Sequence, residues 1–243
     1  MAVGHNPLEQ FEIHRLIPIE IGGVDISFNN SALFMVAALA IGSAFLVLGM
    51  RRRAVVPGRA QSLAEMTYEF VASLIRDVVG SEGRRYFPFV FTLFVFILLG
   101  NTLGLLPYAF TFTSHIIVTF ALAMVVFVGV TILGLVRHGL HFFTFFVPPG
   151  VPVAMWPLLI PIEVISYLSR PISLSVRLFA NMMAGHTLLK VIGGFVVALG
   201  LAGIAPLTLL VALIGLELVI AFLQAYVFAI LTCVYLNDAI HLH

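Results

Sequence analysis

The chain has 243 residues, 61% of them hydrophobic and 9% charged, with a net charge of +1. Soluble domains carry about 25% charged residues, so these proportions exclude a water-soluble fold and indicate an all-α polytopic membrane protein. No basic patch with interleaved aromatics is present, which argues against a nucleic-acid partner. The lone Cys233 excludes an intrachain disulfide.

Residues 1–29 lack the basic start and early apolar core of a signal peptide. They hold Glu9, Glu12, Glu20 and Asp25 against Arg15. A first span runs from Asn30 to Met50, and Arg51-Arg52-Arg53 follows it directly. Lys and Arg mark the cytoplasmic side, so residues 1–29 are expected to face outward, with 30–53 forming the first transmembrane segment. Residues 54–82 then read as an interfacial amphipathic helix on the cytoplasmic face. Leu63, Met66, Phe70, Leu74 and Val78 recur at helical spacing opposite Glu65, Glu69, Arg76 and Asp77. Ser62 and Glu65 have the spacing of a capping box.

Residues 83–137 form a transmembrane hairpin: Tyr86–Leu106 outward, a turn over 107–114, and His115–Val136 back. Arg84-Arg85 and Arg137 bound it on the inner side. Within it, Asn101 and Thr102 suit hydrogen bonding between helices. His138 and His141 have metal-ligand spacing but no third ligand, and they fit better as markers of the inner boundary. Residues 138–156, broken by Pro148, Pro149, Pro152 and Gly150, read as a cytoplasmic or re-entrant loop.

Residues 157–243 behave differently. Two helices are expected, about Met155–Lys190 with a kink at Pro171, and about Leu207–Leu236, with glycines and Pro206 permitting a break between them. Each exceeds the roughly 30 Å of hydrocarbon, so a steeply tilted, membrane-embedded hairpin is expected. Glu163, Arg170 and Arg177 lie seven apart on the first helix, with Ser166, Ser173 and Asn181 completing one polar stripe. An Arg at mid-membrane costs about 2.5–3.5 kcal/mol on insertion scales, so such a stripe marks a functional site. Arg170, nearer the inner end, is expected to snorkel or pair.

On the second helix Glu217 and Gln224 share a face, with Asp238, His241 and His243 at its end. The polar residues therefore divide into two groups. Glu163, Asp238, His241 and His243 lie toward the cytoplasm; Asn181, His186, Glu217 and Gln224 lie toward the middle and the outer face. Arg177 falls between. Its guanidinium stays charged at any accessible pH and cannot relay a proton, whereas His and Glu can. This pattern describes two unconnected aqueous half-channels separated by a fixed cation, so that protons cross on a partner's carboxylate. The C-terminal group is equally compatible with a solvated tail.

The run Ser173-Leu-Ser-Val-Arg177-Leu-Phe-Ala-Asn181-Met-Met-Ala-Gly-His186, then Glu217-x6-Gln224, resembles subunit a of the F-type ATP synthase membrane sector. The likeness extends to Gly-Asn-Thr-Leu-Gly-Leu-Leu-Pro at 100–107. It implies a long hairpin around a rotating ring of c subunits, with peripheral-stalk b subunits and the remainder of the ATP synthase complex as partners. It implies Arg177 as the essential arginine, Glu163 in the cytoplasmic half-channel, and Asn181, His186, Glu217 and Gln224 in the outer one. Some members carry Glu and His at the positions of His186 and Glu217; the exchange here resembles mitochondrial and related bacterial members. No cofactor, metal or catalytic site of its own is implied, and the expected location is a bacterial inner membrane, with the mitochondrial inner membrane as the alternative.

Two other classes compete. An independent secondary transporter would also carry intramembrane charges, but it usually shows two related halves, and none is evident. An intramembrane metallohydrolase lacks its ligand set.

Overall fold

A computed structural model describes residues 11–18, 20–21, 24–25, 27–51, 54, 56–106, 109–147, 152 and 155–241. Glu9, Arg52, Arg53, Pro107, Pro148, Pro149, Gly150 and His243 lie outside the described residues. Six α-helices account for most of the rest: α1 (Asn30–Met50), α2 (Arg59–Val79), α3 (Phe87–Gly104), α4 (Ile116–His138), α5 (Trp156–Ala198) and α6 (Ile204–Ile240). All but α2 are long and apolar enough to cross a membrane, and the chain is an all-α polytopic membrane protein. The sequence signals did not reveal four short strands before α1. Arg15–Ile17 pairs with Phe28–Asn29, and Glu20–Ile21 with Val24–Asp25.

Helix α1 starts where Asn29 accepts the Ala32 amide at 2.8 Å, an N-cap. The next residue, Asn30, holds the N-terminal segment in place. Its side chain donates to the Glu12 carbonyl (3.0 Å) and accepts the His14 amide (3.2 Å).

In α2 the capping box is absent. The helix begins at Arg59, so Ser62 already lies within its first turns. Glu65 is engaged by Gln61 instead, whose amide donates to it at 2.8 Å and also grips the backbone of Ala54. The apolar stripe divides as well. Leu74 is buried and Phe70 and Val78 pack on the core, while Leu63 and Met66 stay 55% and 64% exposed, as suits a helix with one face toward lipid.

The core lies where α2, α3, α4, α5 and α6 meet, around Phe94, Ile97, Ala123, Val126, Leu178, Met182, Ala221 and Phe228. Small residues let the backbones approach, as expected where apolar surface alone gives no preference for helix over lipid. Asn101 is fully buried and donates to the Ala221 carbonyl (3.2 Å), pinning α3 to α6. At one end, which we call the basic end, Arg137 pairs with Glu82 and His138 bonds the Ala239 carbonyl at 3.1 Å.

Helix α5 runs through Pro161 and Pro171 without a break and continues past Gly193 and Gly194. The reversal comes later, in a 3-10 turn over Gly200–Gly203. There Gly203 lies so close to the Val196 carbonyl that a Cβ would collide with it. At 1.5 Å per residue α5 is roughly 65 Å long and α6 roughly 55 Å, so each exceeds the roughly 30 Å of bilayer hydrocarbon, the length condition behind the expected tilted hairpin.

Gly100 sits against the Cζ end of the buried Phe112 ring, with no room for a Cβ. Replacing it by Ala is expected to destabilise the solubilised protein by about 1–3 kcal/mol through overpacking. Asn101→Leu is expected to lose only about 0.6–1.7 kcal/mol, the range for a hydrogen bond between membrane helices. Thermal denaturation in detergent checks the order; a larger loss for Asn101→Leu would contradict it.

Candidate functional site

At the end of the bundle opposite the basic end, α5 and α6 bring His186 and Glu217 together. Both are buried (7% and 3% exposed), with His186 Nδ1 3.6 Å from Glu217 Oε1. Gly185 makes this possible: a Cβ there would lie 2.6 Å from Glu217 Oε1. A carboxyl group is thus folded onto α5 at a position with no side chain.

The other ring nitrogen fixes the orientation of His186. Thr111 Oγ1 donates to the Gly104 carbonyl (3.3 Å) and lies 3.1 Å from His186 Nε2. With its single proton committed to Gly104, Thr111 accepts from Nε2–H. The Nδ1 face is then directed at Glu217, whose carboxyl oxygens receive no hydrogen bond from the described chain. An acid and an imidazole in this arrangement can exchange one proton with little motion.

A cavity of about 870 Å³ opens onto the same His186. Its wall includes Glu12, His14, Asn30, Gly104 and Lys190. The pair is therefore reached from the N-terminal segment's side of the bundle.

The polar stripe of α5 resolves into two unlike arginines. Arg170 is partly covered and forms an ion pair with Asp238 at 2.9 Å, both side chains about a quarter exposed (22% and 25%). Aromatic rings surround it, Tyr235 at 4.9 Å, Tyr167 at 5.2 Å and Phe145 at 5.6 Å from the guanidinium carbon. This is a cation–π enclosure built by the end of α6 and the turn after α4. Tyr167 is itself tied to Thr131 at 2.7 Å.

Arg177, two turns on, is exposed and makes no hydrogen bond or ion pair with any described residue. Ser166, Ser173, Val176, Ala180 and Asn181 are exposed with it, whereas Leu174, Leu178 and Met182 on the other side are buried. The face that carries Arg177 is uncovered by the other described residues.

The remaining predicted residues are not gathered into contact. Glu163 is half-buried near the start of α5 and forms no ion pair with another described residue, and Gln224 is half-buried on α6. Asp238 belongs to Arg170, and His241 donates to Asn237 at 3.0 Å at the exposed end of α6. Thr111 and Gly185 went unnoticed in the sequence. A hydroxyl in a turn has no periodicity to betray it, but a glycine beside a candidate histidine was a usable signal. Among the described residues no three of His, Cys, Asp and Glu are grouped to hold a metal ion.

A family model described as ATP synthase A chain matches residues 32–237. The chain is similar to the ATP synthase subunit a of Chelativorans sp., with 61% identity over 243 residues covering 97% of this chain and 98% of the relative. It is 60% identical over 243 residues to that of Mesorhizobium japonicum, covering 97% and 96%. With that of Paramagnetospirillum magneticum the identity is 58% over 245 residues, covering 98% and 99%. With such identities to bacterial proteins over nearly its full length, and five helices fit to cross a membrane, the chain belongs to the ATP synthase A chain family, the membrane-embedded a subunits of ATP synthase.

Proposed function

We propose that the chain is the static, proton-conducting partner of a turning ring of c subunits, held in place by peripheral-stalk b subunits within the ATP synthase complex. The observation that carries this is the contrast between Arg177, exposed and unpaired on an uncovered face, and Arg170, fully engaged within the chain. A charge in an apolar helix without a counter-charge of its own calls for one from outside. Ring carboxylates supply it. At 4 Å and an effective dielectric near 20, the attraction is about 4 kcal/mol, enough to keep a passing carboxylate ionised. Ser173, Ala180 and Ala184 on the same face let a ring helix approach closely.

Positive-inside bias places the basic end toward the cytoplasm, with the N-terminus periplasmic and the C-terminus cytoplasmic. Protons then enter from the outer side through the cavity, meet His186 and Glu217, and load onto a ring carboxylate. Asn181 and Gln224 extend this route toward Arg177. They leave past Glu163, while Asp238 fixes Arg170 and His241 marks the exit. Along α5, Arg177 is roughly 14 Å from His186 and roughly 21 Å from Glu163. Neither gap can be crossed in a single hydrogen-bonded proton transfer, and the fixed cation repels a proton between them. Rotation of the loaded carboxylate joins the two routes.

Arg177→Gln is expected to abolish proton-driven ATP synthesis, whereas Arg170→Gln lowers the amount of assembled complex but leaves substantial synthesis per complex; normal synthesis by the first variant contradicts the mechanism. His186→Ala and Glu217→Ala are expected to slow passive proton flux through the head-depleted membrane sector by about a hundredfold, the low end of what a positioned proton-transfer group contributes. Gly185→Ala should reproduce part of that loss by displacing the Glu217 carboxyl, and wild-type flux in all three would remove the pair from the path. Glu163→Leu is expected to reduce flux with no change in assembly, and its dispensability would exclude it from the exit route.

A further inference from the structure

Resting on the proton path just described, the structure assigns a role to the segment that precedes α1: we infer that Glu12 and His14 form a proton-collecting mouth that feeds His186. Three observations meet here. The two residues line the same cavity of about 870 Å³ that reaches His186. The segment carrying them is fastened by three hydrogen bonds to Asn30, the Glu12 carbonyl, the His14 amide and the His14 carbonyl each taking part. Strand pairing of Arg15–Ile17 with Phe28–Asn29 holds it from the other side. A segment anchored at the first residue of a span, rather than left loose, keeps its side chains at the cavity.

The need for such a mouth follows from supply. Diffusional encounter at roughly 10⁹–10¹⁰ M⁻¹ s⁻¹, with protons at about 10⁻⁷ M, delivers on the order of 10²–10³ protons per second to one small target. His186 is 7% exposed, a small and recessed target. Groups at the mouth that take protons from buffer acids as well as from hydronium enlarge the capture area. A carboxylate and an imidazole suit this, since each can take a proton from a buffer acid and pass it on. Each proton moves from the buffer acid to Glu12 or His14 and then through vestibule water to His186, leaving the collecting group in its starting charge state. Among the described residues lining the cavity, the titratable or charged groups are Glu12, His14, His186 and Lys190. Lys190 adds a positive charge that disfavours proton entry, and Glu12 offsets it.

The test uses the complete ATP synthase reconstituted in liposomes, with synthesis driven by a fixed pH difference while the buffer concentration on the N-terminal side is varied. Glu12→Gln combined with His14→Gln is expected to slow synthesis about tenfold in dilute buffer, the low end of what a charged cleft adds to an on-rate. The rate should converge on wild type as buffer is raised, and Glu12→Asp with His14 intact should restore it. A double variant equal to wild type in dilute buffer, with His186→Ala still slow, overturns the collecting role and leaves the path standing. Equal slowing at every buffer concentration marks a structural part for the segment and also overturns the role. Wild-type rates in both the double variant and His186→Ala overturn the path itself.

Discussion

A guanidinium cannot shed its proton in the membrane, so an arginine on an apolar helix must be given an anion, an aromatic enclosure or a partner from elsewhere. The long helix α5 carries two, seven residues apart, and treats them oppositely. Arg170 receives Asp238 and three rings, because the end of α6 and the turn after α4 close over that part of the stripe. Beyond it the face that carries the stripe is not covered by any described residue, and Arg177 is left exposed there. The same stripe therefore contributes one residue to internal cohesion and, on the proposed function, another to the interface with the ring, and the remaining polar groups fall on either side of the second.

The acid–imidazole pair depends on a different economy of space. Two helices that cross with small residues between them leave no volume for a buried carboxyl unless one residue gives way. Gly185 does so, and the Glu217 carboxyl fills the place of its missing side chain. Thr111, from the turn between α3 and α4, then fixes the ring of His186 through the nitrogen that does not face Glu217. Three segments distant in sequence set the geometry of one proton.

Much of this was legible in advance because membrane helices are written in long apolar runs, and any charge within them stands out against its cost. The spans, the amphipathic α2 and the stripe on α5 all come from that contrast. What escaped was whatever depends on contact between distant elements. The Arg170–Asp238 pair joins residues on different helices. Helix α2 takes Gly58 as its N-cap, so the capping-box spacing at Ser62 was present in the letters but four residues too late. The turn before α6 falls at Gly200–Gly203, two of the glycines that permitted a break, while Gly193 and Gly194 stay within α5. The strands before α1 are too short to show an alternating pattern.

The central claim is that the uncovered face around Arg177 is where the ring turns. Single cysteines at Ser173, Val176 and Ala180, tested for disulfide trapping against cysteines placed along the outer helix of the c subunit in the intact complex, address it most directly. The account predicts trapping at all three and none from Leu178, which is buried in the core. Lipid-only accessibility at the three exposed positions, with no cross-link to the ring, would contradict it.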